Sequence, residues 1–135
     1  MKPEELLAAA KEAMMNAYAP YSGFFVGAAL LTKTGKVYTG CNIENAAFSP
    51  TNCAERTAFF KAVSEGEREF TAIAVVGGKH GTITGVCAPC GVCRQVMQEF
   101  CTPDFRIYLG TADGYTRITL GELLPLAFAA EDHLK

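Results

Sequence analysis

Six cysteines stand at positions 41, 53, 87, 90, 93 and 101 of a 135-residue chain. Cys90-Gly91-Val92-Cys93 has the two-residue gap with which paired thiolates share one metal ion. Cys53 and the pair Cys90 and Cys93 each open a predicted helix, and helix N-termini lower thiol pKa values, so these three suit Zn²⁺. In a twisted α/β sheet such helix starts gather at one edge. The three are therefore expected to meet as a three-thiolate set whose fourth tetrahedral position stays open. An open position takes water, and water on zinc is a nucleophile near neutral pH. Glu55, two residues after Cys53, is placed to lean over that position and to take and return a proton. Service as a fourth ligand is its lesser alternative. A closed, noncatalytic cage of Cys53, Cys87, Cys90 and Cys93 is the other reading the spacing permits.

The elements that must position these groups follow from the hydrophobic pattern. Leu6, Leu7, Ala10, Ala13, Met14, Ala17 and Tyr18 recur at helical steps, with Glu4 and Glu5 at the positive dipole end and Pro20 as the stop. Residues 24–31 and 36–41 form a predicted β-hairpin around Thr34-Gly35. A loop over 42–52 delivers the chain to a helix at 53–64, with Asn52 or Thr51 as its N-cap. A buried strand at 70–76 is followed by a Gly- and Thr-rich loop through Gly77-Gly78, Gly81 and Gly85. A helix at 90–100 comes next, then strands at 106–110 and 116–119, and a last helical piece carrying Leu123, Leu124, Leu126 and Phe128. This order predicts one α/β domain over 1–135, three layers deep, its mixed sheet covered by helices on both faces.

Cys53-Ala54-Glu55 followed by Pro89-Cys90-Gly91-Val92-Cys93 resembles the zinc signature of the cytidine and deoxycytidylate deaminase superfamily. Tyr18-Ala19-Pro20-Tyr21-Ser22, residues 41–47, the run Cys53 to Ala58 and Glu122-Leu123-Leu124-Pro125 resemble its small homotetrameric nucleoside-salvage members. The resemblance covers nearly the whole chain. It implies the α/β/α deaminase fold, one Zn²⁺ per chain held by Cys53, Cys90 and Cys93, and hydrolytic deamination of cytidine and deoxycytidine with Glu55 as proton shuttle. It further implies that Asn42 and Glu44 hold the ribose hydroxyls, Phe24 flanks the pyrimidine, Ala54 offers backbone groups to the base and Phe128 closes a neighbouring subunit's pocket. Arg56 is then expected to donate to thiolate sulfur, offsetting the net charge of three thiolates on one zinc ion. Phe48 departs from the pattern, since many relatives have Tyr there.

Taken alone, Phe24 reads as core, Asn42 and Glu44 equally as loop residues capping backbone groups, and Phe128 as packing of its own domain. Cys41 and Cys101 read as small core residues, and His80 and His133 as surface side chains without ligand spacing. Within the superfamily, a deaminase for a nucleoside antibiotic such as blasticidin S is the nearest alternative; a structural zinc module is the one outside it. Twelve Lys and Arg against fourteen Asp and Glu leave a net charge of -2, which argues against holding long nucleic acids. The chain lacks the ~18 consecutive apolar residues of a membrane span and the charged-then-apolar start of a signal peptide, so a cytosolic protein is expected. The apolar run from 123 to 130 exceeds what a small monomer leaves exposed and favours assembly.

Overall fold

The computed structural model describes residues 1–134, with His133 described by its backbone alone. In chain order the elements are α1 (Pro3–Met14), β1 (Phe24–Thr32), β2 (Val37–Cys41), α2 (Ala54–Ser64), β3 (Phe70–Lys79), β4 (Thr82–Ile83), α3 (Gly91–Phe100), β5 (Arg106–Gly110), β6 (Tyr115–Thr119), α4 (Leu120–Leu123) and α5 (Ala130–His133). The sheet runs β2-β1-β3-β5-β6, with β4 paired to β3. Only β3 and β5 run parallel, so the sheet is mixed, as the strand and helix order predicts.

Both faces of the sheet are covered because its central strands carry apolar residues on both sides along their buried stretches, Ala28 to Leu30 and Ala72 to Val76. On β3, Ala72, Ala74 and Val76 face α1 together with Leu6, Leu7, Ala10 and Met14. Its intervening Ile73 and Val75 face α2 and α3 together with Ala58, Phe59, Ala62 and Met97. Two glycines set how closely the helices seat. A Cβ at Gly27 would strike the Ala10 carbonyl and come 2.5 Å from the Met14 nitrogen, and one at Gly40 would strike the Ala54 carbonyl and come 2.7 Å from the Ala58 nitrogen. The latter contact lies at the start of α2, beside Cys53. Farther along α2, fully buried Phe59 meets Phe70 edge-on at 5.1 Å and stacks on Phe100 of α3 at 6.2 Å. Burying such a ring contributes about 1.5–3 kcal/mol and joins the two helices that carry the thiols.

Four expected boundaries are corrected. The first helix stops at Met14 and not near Pro20, because the Tyr18 N–H donates to the Asn42 carbonyl at 3.0 Å and its carbonyl accepts from Glu44 N at 2.8 Å. The strand predicted to end at Val76 continues to Lys79, since Gly77 and Gly78 pair with Val26 and Phe25 of β1. His80 and Gly81, both with positive φ, then turn it into β4. The N-cap of α2 is Cys53 itself; Asn52 instead donates its amide to the Thr57 hydroxyl at 3.2 Å. No helix spans 123–128: α4, started by a Thr119–Glu122 capping box, ends at Leu123. Leu124, which precedes a proline, leaves the helical region, and Leu126 takes a φ of 53°.

Candidate active site

Cys53 caps α2, Cys90 caps α3, and Cys93 lies buried in the first turn of α3. Their three Sγ atoms lie within 4.8 Å of one another, with Cys53 and Cys90 3.8 Å apart. Zinc–thiolate bonds of about 2.3 Å at tetrahedral angles require sulfurs about 3.8 Å apart, so the cluster fits one zinc ion. Cys87 does not belong to it: its sulfur lies over Gly77, 2.9 Å from where a Cβ would stand, and burial pushes its thiol up to about 11. The closed four-cysteine cage is therefore not what the chain builds. Cys41 and Cys101 are half-buried, and burial raises both thiols.

Within the cluster the charge is unevenly shared. The hydrogen bond from Cys93 holds Cys53 down at about 5, aided by Arg56, whose Nη2 donates to Cys53 Sγ at 3.2 Å, and against the effect of burial. Cys93 is pushed up for the complementary reason, since its proton is held toward Cys53 and its thiol is buried. Glu55, only 4% exposed in the first turn of α2, is pushed up to about 7 by burial, with the negative Cys53 adding to the effect. A carboxyl group balanced near neutrality can both accept and return a proton in one turnover.

The residues expected around a sugar and base lie on the adjoining loops. Asn42 accepts from Val26 N at 2.9 Å through Oδ1 and donates through Nδ2 to the Phe24 carbonyl at 2.8 Å. Glu44 accepts through Oε1 from Tyr21 N at 3.0 Å and Ser22 N at 3.1 Å, and through Oε2 from the Ser22 hydroxyl. The Ser22 hydroxyl bond is the main reason its carboxyl lies below the usual range. Both side chains thus cap backbone groups while keeping hydrogen-bonding capacity, since an amide offers two donors and a carboxylate about four acceptor sites. Phe24 is 39% exposed at the start of β1, and Ala54 is buried at the start of α2. Phe128 lies on the irregular segment after α4, 58% exposed, its carbonyl accepting from the Gln95 amide at 3.0 Å. His80 is exposed at the β3–β4 turn, and the side chain of His133 lies outside the described residues.

Three positioning groups escape a reading of spacing. Arg94 donates through Nε to the Pro89 carbonyl at 2.8 Å and through Nη1 to the Leu123 carbonyl at 2.7 Å, fastening the approach to Cys90. The Thr57 hydroxyl lies 3.1 Å from the Cys41 carbonyl oxygen and 3.2 Å from that of Cys53, tying α2 to the end of β2. Ser22 joins Glu44 to the Phe24 N–H, which donates to its hydroxyl at 3.0 Å. Arg94 carries the one legible signal, a cation one turn after a metal-ligating cysteine. A cavity of about 430 Å³ adjoins Ser22 and Glu44, lined also by Tyr21, Asn45, Phe48 and Thr51. A larger one of about 700 Å³ lies among Lys33, Arg68, Glu69, Asp104 and Arg106, and neither cavity is lined by the three clustered cysteines.

Residues 1–109 match the model of the cytidine and deoxycytidylate deaminase zinc-binding region. The cytidine deaminase of Sporosarcina psychrophila is 53% identical over 133 residues, 98% of this chain and 95% of that protein. The crystal structure of cytidine deaminase from Burkholderia pseudomallei matches with a TM-score of 0.87 at 51% identity, covering 95% of this chain and 100% of that one. The blasticidin-S deaminase of Bacillus cereus is 33% identical over 107 residues, 76% of each chain.

The uneven charge makes a countable prediction. In a Glu55→Gln background, which removes the other side chain titrating near neutrality, zinc uptake by the metal-free protein at pH 6 should release fewer than three protons per ion. Cys53, held at about 5, is already a thiolate there. The count should rise toward three as pH falls through about 5. Calorimetry in buffers of different ionisation enthalpy reads it directly, and a full three protons at pH 6, where water on zinc still keeps its protons, would contradict the assignment.

Proposed function

The chain belongs to the cytidine and deoxycytidylate deaminase family, and on that premise we propose that it removes the exocyclic amino group of cytidine and deoxycytidine by hydrolysis. The products are uridine or deoxyuridine and ammonia, a reaction of pyrimidine salvage in the cytosol. The observation that carries this reading is the meeting of three thiols within 4.8 Å at two helix starts, next to a buried carboxyl pushed up to about 7.

A bound Zn²⁺ supplies Lewis acidity and a water nucleophile at neutral pH. Glu55, as carboxylate, accepts one proton from the attacking water. As carboxylic acid it gives that proton to the ring nitrogen beside the reacting carbon. It then carries the second water proton to the departing amine, so that water and substrate become the ring amide carbonyl of uridine and ammonia with Glu55 unchanged. Arg56 draws charge from the Cys53 sulfur, moderating a site that would otherwise hold three thiolates against two positive charges. The ribose hydroxyls are assigned to the remaining capacity of Asn42 and Glu44, the ring to Phe24 and to the backbone of Ala54. The lower identity to the blasticidin-S deaminase favours cytidine over the antibiotic. The burial of Glu55 beside the thiols favours an enzyme over a structural zinc module.

Glu55→Gln should lower turnover of cytidine by about 10²–10⁴-fold. It should leave one zinc per chain and an unchanged circular dichroism spectrum, because the amide keeps the shape and cannot move the proton. Undiminished loss of cytidine absorbance would end the mechanism.

The 1–135 domain is assigned to a homotetramer, each site closed by Phe128 of a neighbour. Support comes from exposed apolar groups, Phe48 at 73% and Phe128 at 58% with Leu126 fully exposed, beyond what a small monomer ordinarily presents. Light scattering should give four chain masses, and Phe128→Ala should raise KM. A fully active species with the mass of one chain would contradict both.

A further inference from the structure

One hydroxyl joins the Glu44 side chain to the Phe24 backbone, which in turn holds the Asn42 side chain. Ser22 Oγ donates its single hydrogen to Glu44 Oε2 and accepts the Phe24 N–H at 3.0 Å, while the Phe24 carbonyl accepts from Asn42 Nδ2 at 2.8 Å. The backbone of the same turn adds the Tyr21 and Ser22 N–H groups, both on Glu44 Oε1. Ser22 is exposed at the rim of the cavity that Glu44 lines, so its bonds do not serve a buried core.

The turn is in turn held from a second element. Lys79, the last residue of β3 and the register partner of Phe24, donates through Nζ to the Ser22 carbonyl at 2.7 Å. His80 donates its N–H to the Gly23 carbonyl at 2.6 Å. The Gly23 φ of 69° and the His80 ring close against it leave little room for the turn to shift. A carboxylate on a mobile loop would sample many orientations, and fixing it beforehand removes that entropy from the binding step.

We propose that Ser22, clamped by Lys79, is a positioning residue that aims the Glu44 carboxylate at the ribose hydroxyls and couples it to the Phe24 backbone. This rests on the assignment of Glu44 to the ribose. Ser22 acts on substrate through Glu44, so its removal weakens sugar recognition and leaves the chemical step at Glu55 alone.

The test compares kcat and KM for cytidine and for its 2′,3′-dideoxy analogue, which lacks the 2′- and 3′-hydroxyls and keeps the 5′-hydroxyl, in wild type, Ser22→Ala, Glu44→Gln and the double variant. Loss of a hydrogen bond to a charged group predicts that Ser22→Ala raises KM for cytidine about tenfold, with kcat changed by less than about twofold. The penalty should vanish on the dideoxy analogue, and the double variant should be no worse than Glu44→Gln. Ser22→Thr, which keeps the hydroxyl, should restore KM. Lys79→Met, which leaves Ser22 in place, should show a smaller loss of the same pattern. An equal penalty on both substrates, or additivity with Glu44→Gln, would overturn the inference and leave Ser22 a merely structural residue. Failure of Glu44→Gln itself to discriminate the two substrates would overturn the ribose assignment. Discrimination by Glu44→Gln without it in Ser22→Ala would overturn the role of Ser22 alone.

Discussion

Three sulfurs held within 4.8 Å of one another, one of them buried, cannot all be anionic without a cation among them. Much of the molecule enforces that proximity. Two helices from separate parts of the chain must start at the same place, which requires α2 to seat on Gly40 and α3 to be drawn to α2 through Phe59 and Phe100. Arg94 and Thr57 hold the chain just before each helix. In the metal-free cluster the conflict is resolved by a shared proton between Cys53 and Cys93 and by the Arg56 guanidinium, while the same negative charge helps to keep Glu55 near neutrality. Metal affinity and proton transfer thus come from one electrostatic arrangement.

The sugar side follows a different economy. Asn42 and Glu44 are structural caps, and the ribose role proposed for them would use the hydrogen-bonding capacity the caps leave free. Asn42 bonds both edges of the backbone at the start of β1, and Glu44 gathers the turn before it. A substitution there would disturb fold and recognition together. The cavity beside Glu44 is rimmed by Tyr21 and Phe48, whose rings meet edge-on at 6.4 Å, with Phe48 held at a φ of 62° that non-glycine residues rarely adopt. The hydroxyl that a Tyr would bring to position 48 is absent, which leaves this rim more apolar.

Legibility in the sequence tracked how local the cause was. The helix starts of Cys53 and Cys90, the apolar strands and the two covered faces follow from near neighbours and period, and the structure has them. Gly77-Gly78 looks like a loop because glycine has little strand preference, yet pairing with β1 decides its conformation. Tyr18 continues a helical pattern until a bridge to the 42–44 segment, more than twenty residues on, takes its backbone. Leu126 and Phe128 sit at helical spacing after α4, but the proline between Leu124 and Leu126 stops the helix first. Ser22 stands in the Tyr18–Ser22 run of the resemblance with no role of its own, since its partner Glu44 is set by tertiary register and no spacing announces it.

The three-thiol cluster is proposed as a catalytic zinc site. Metal-free protein titrated with zinc while cytidine absorbance is followed tests it most directly. Turnover should rise in proportion to added metal and stop at one zinc per chain. Turnover in the metal-free protein, or a folded protein with one zinc per chain that leaves cytidine and deoxycytidine untouched, would contradict the account.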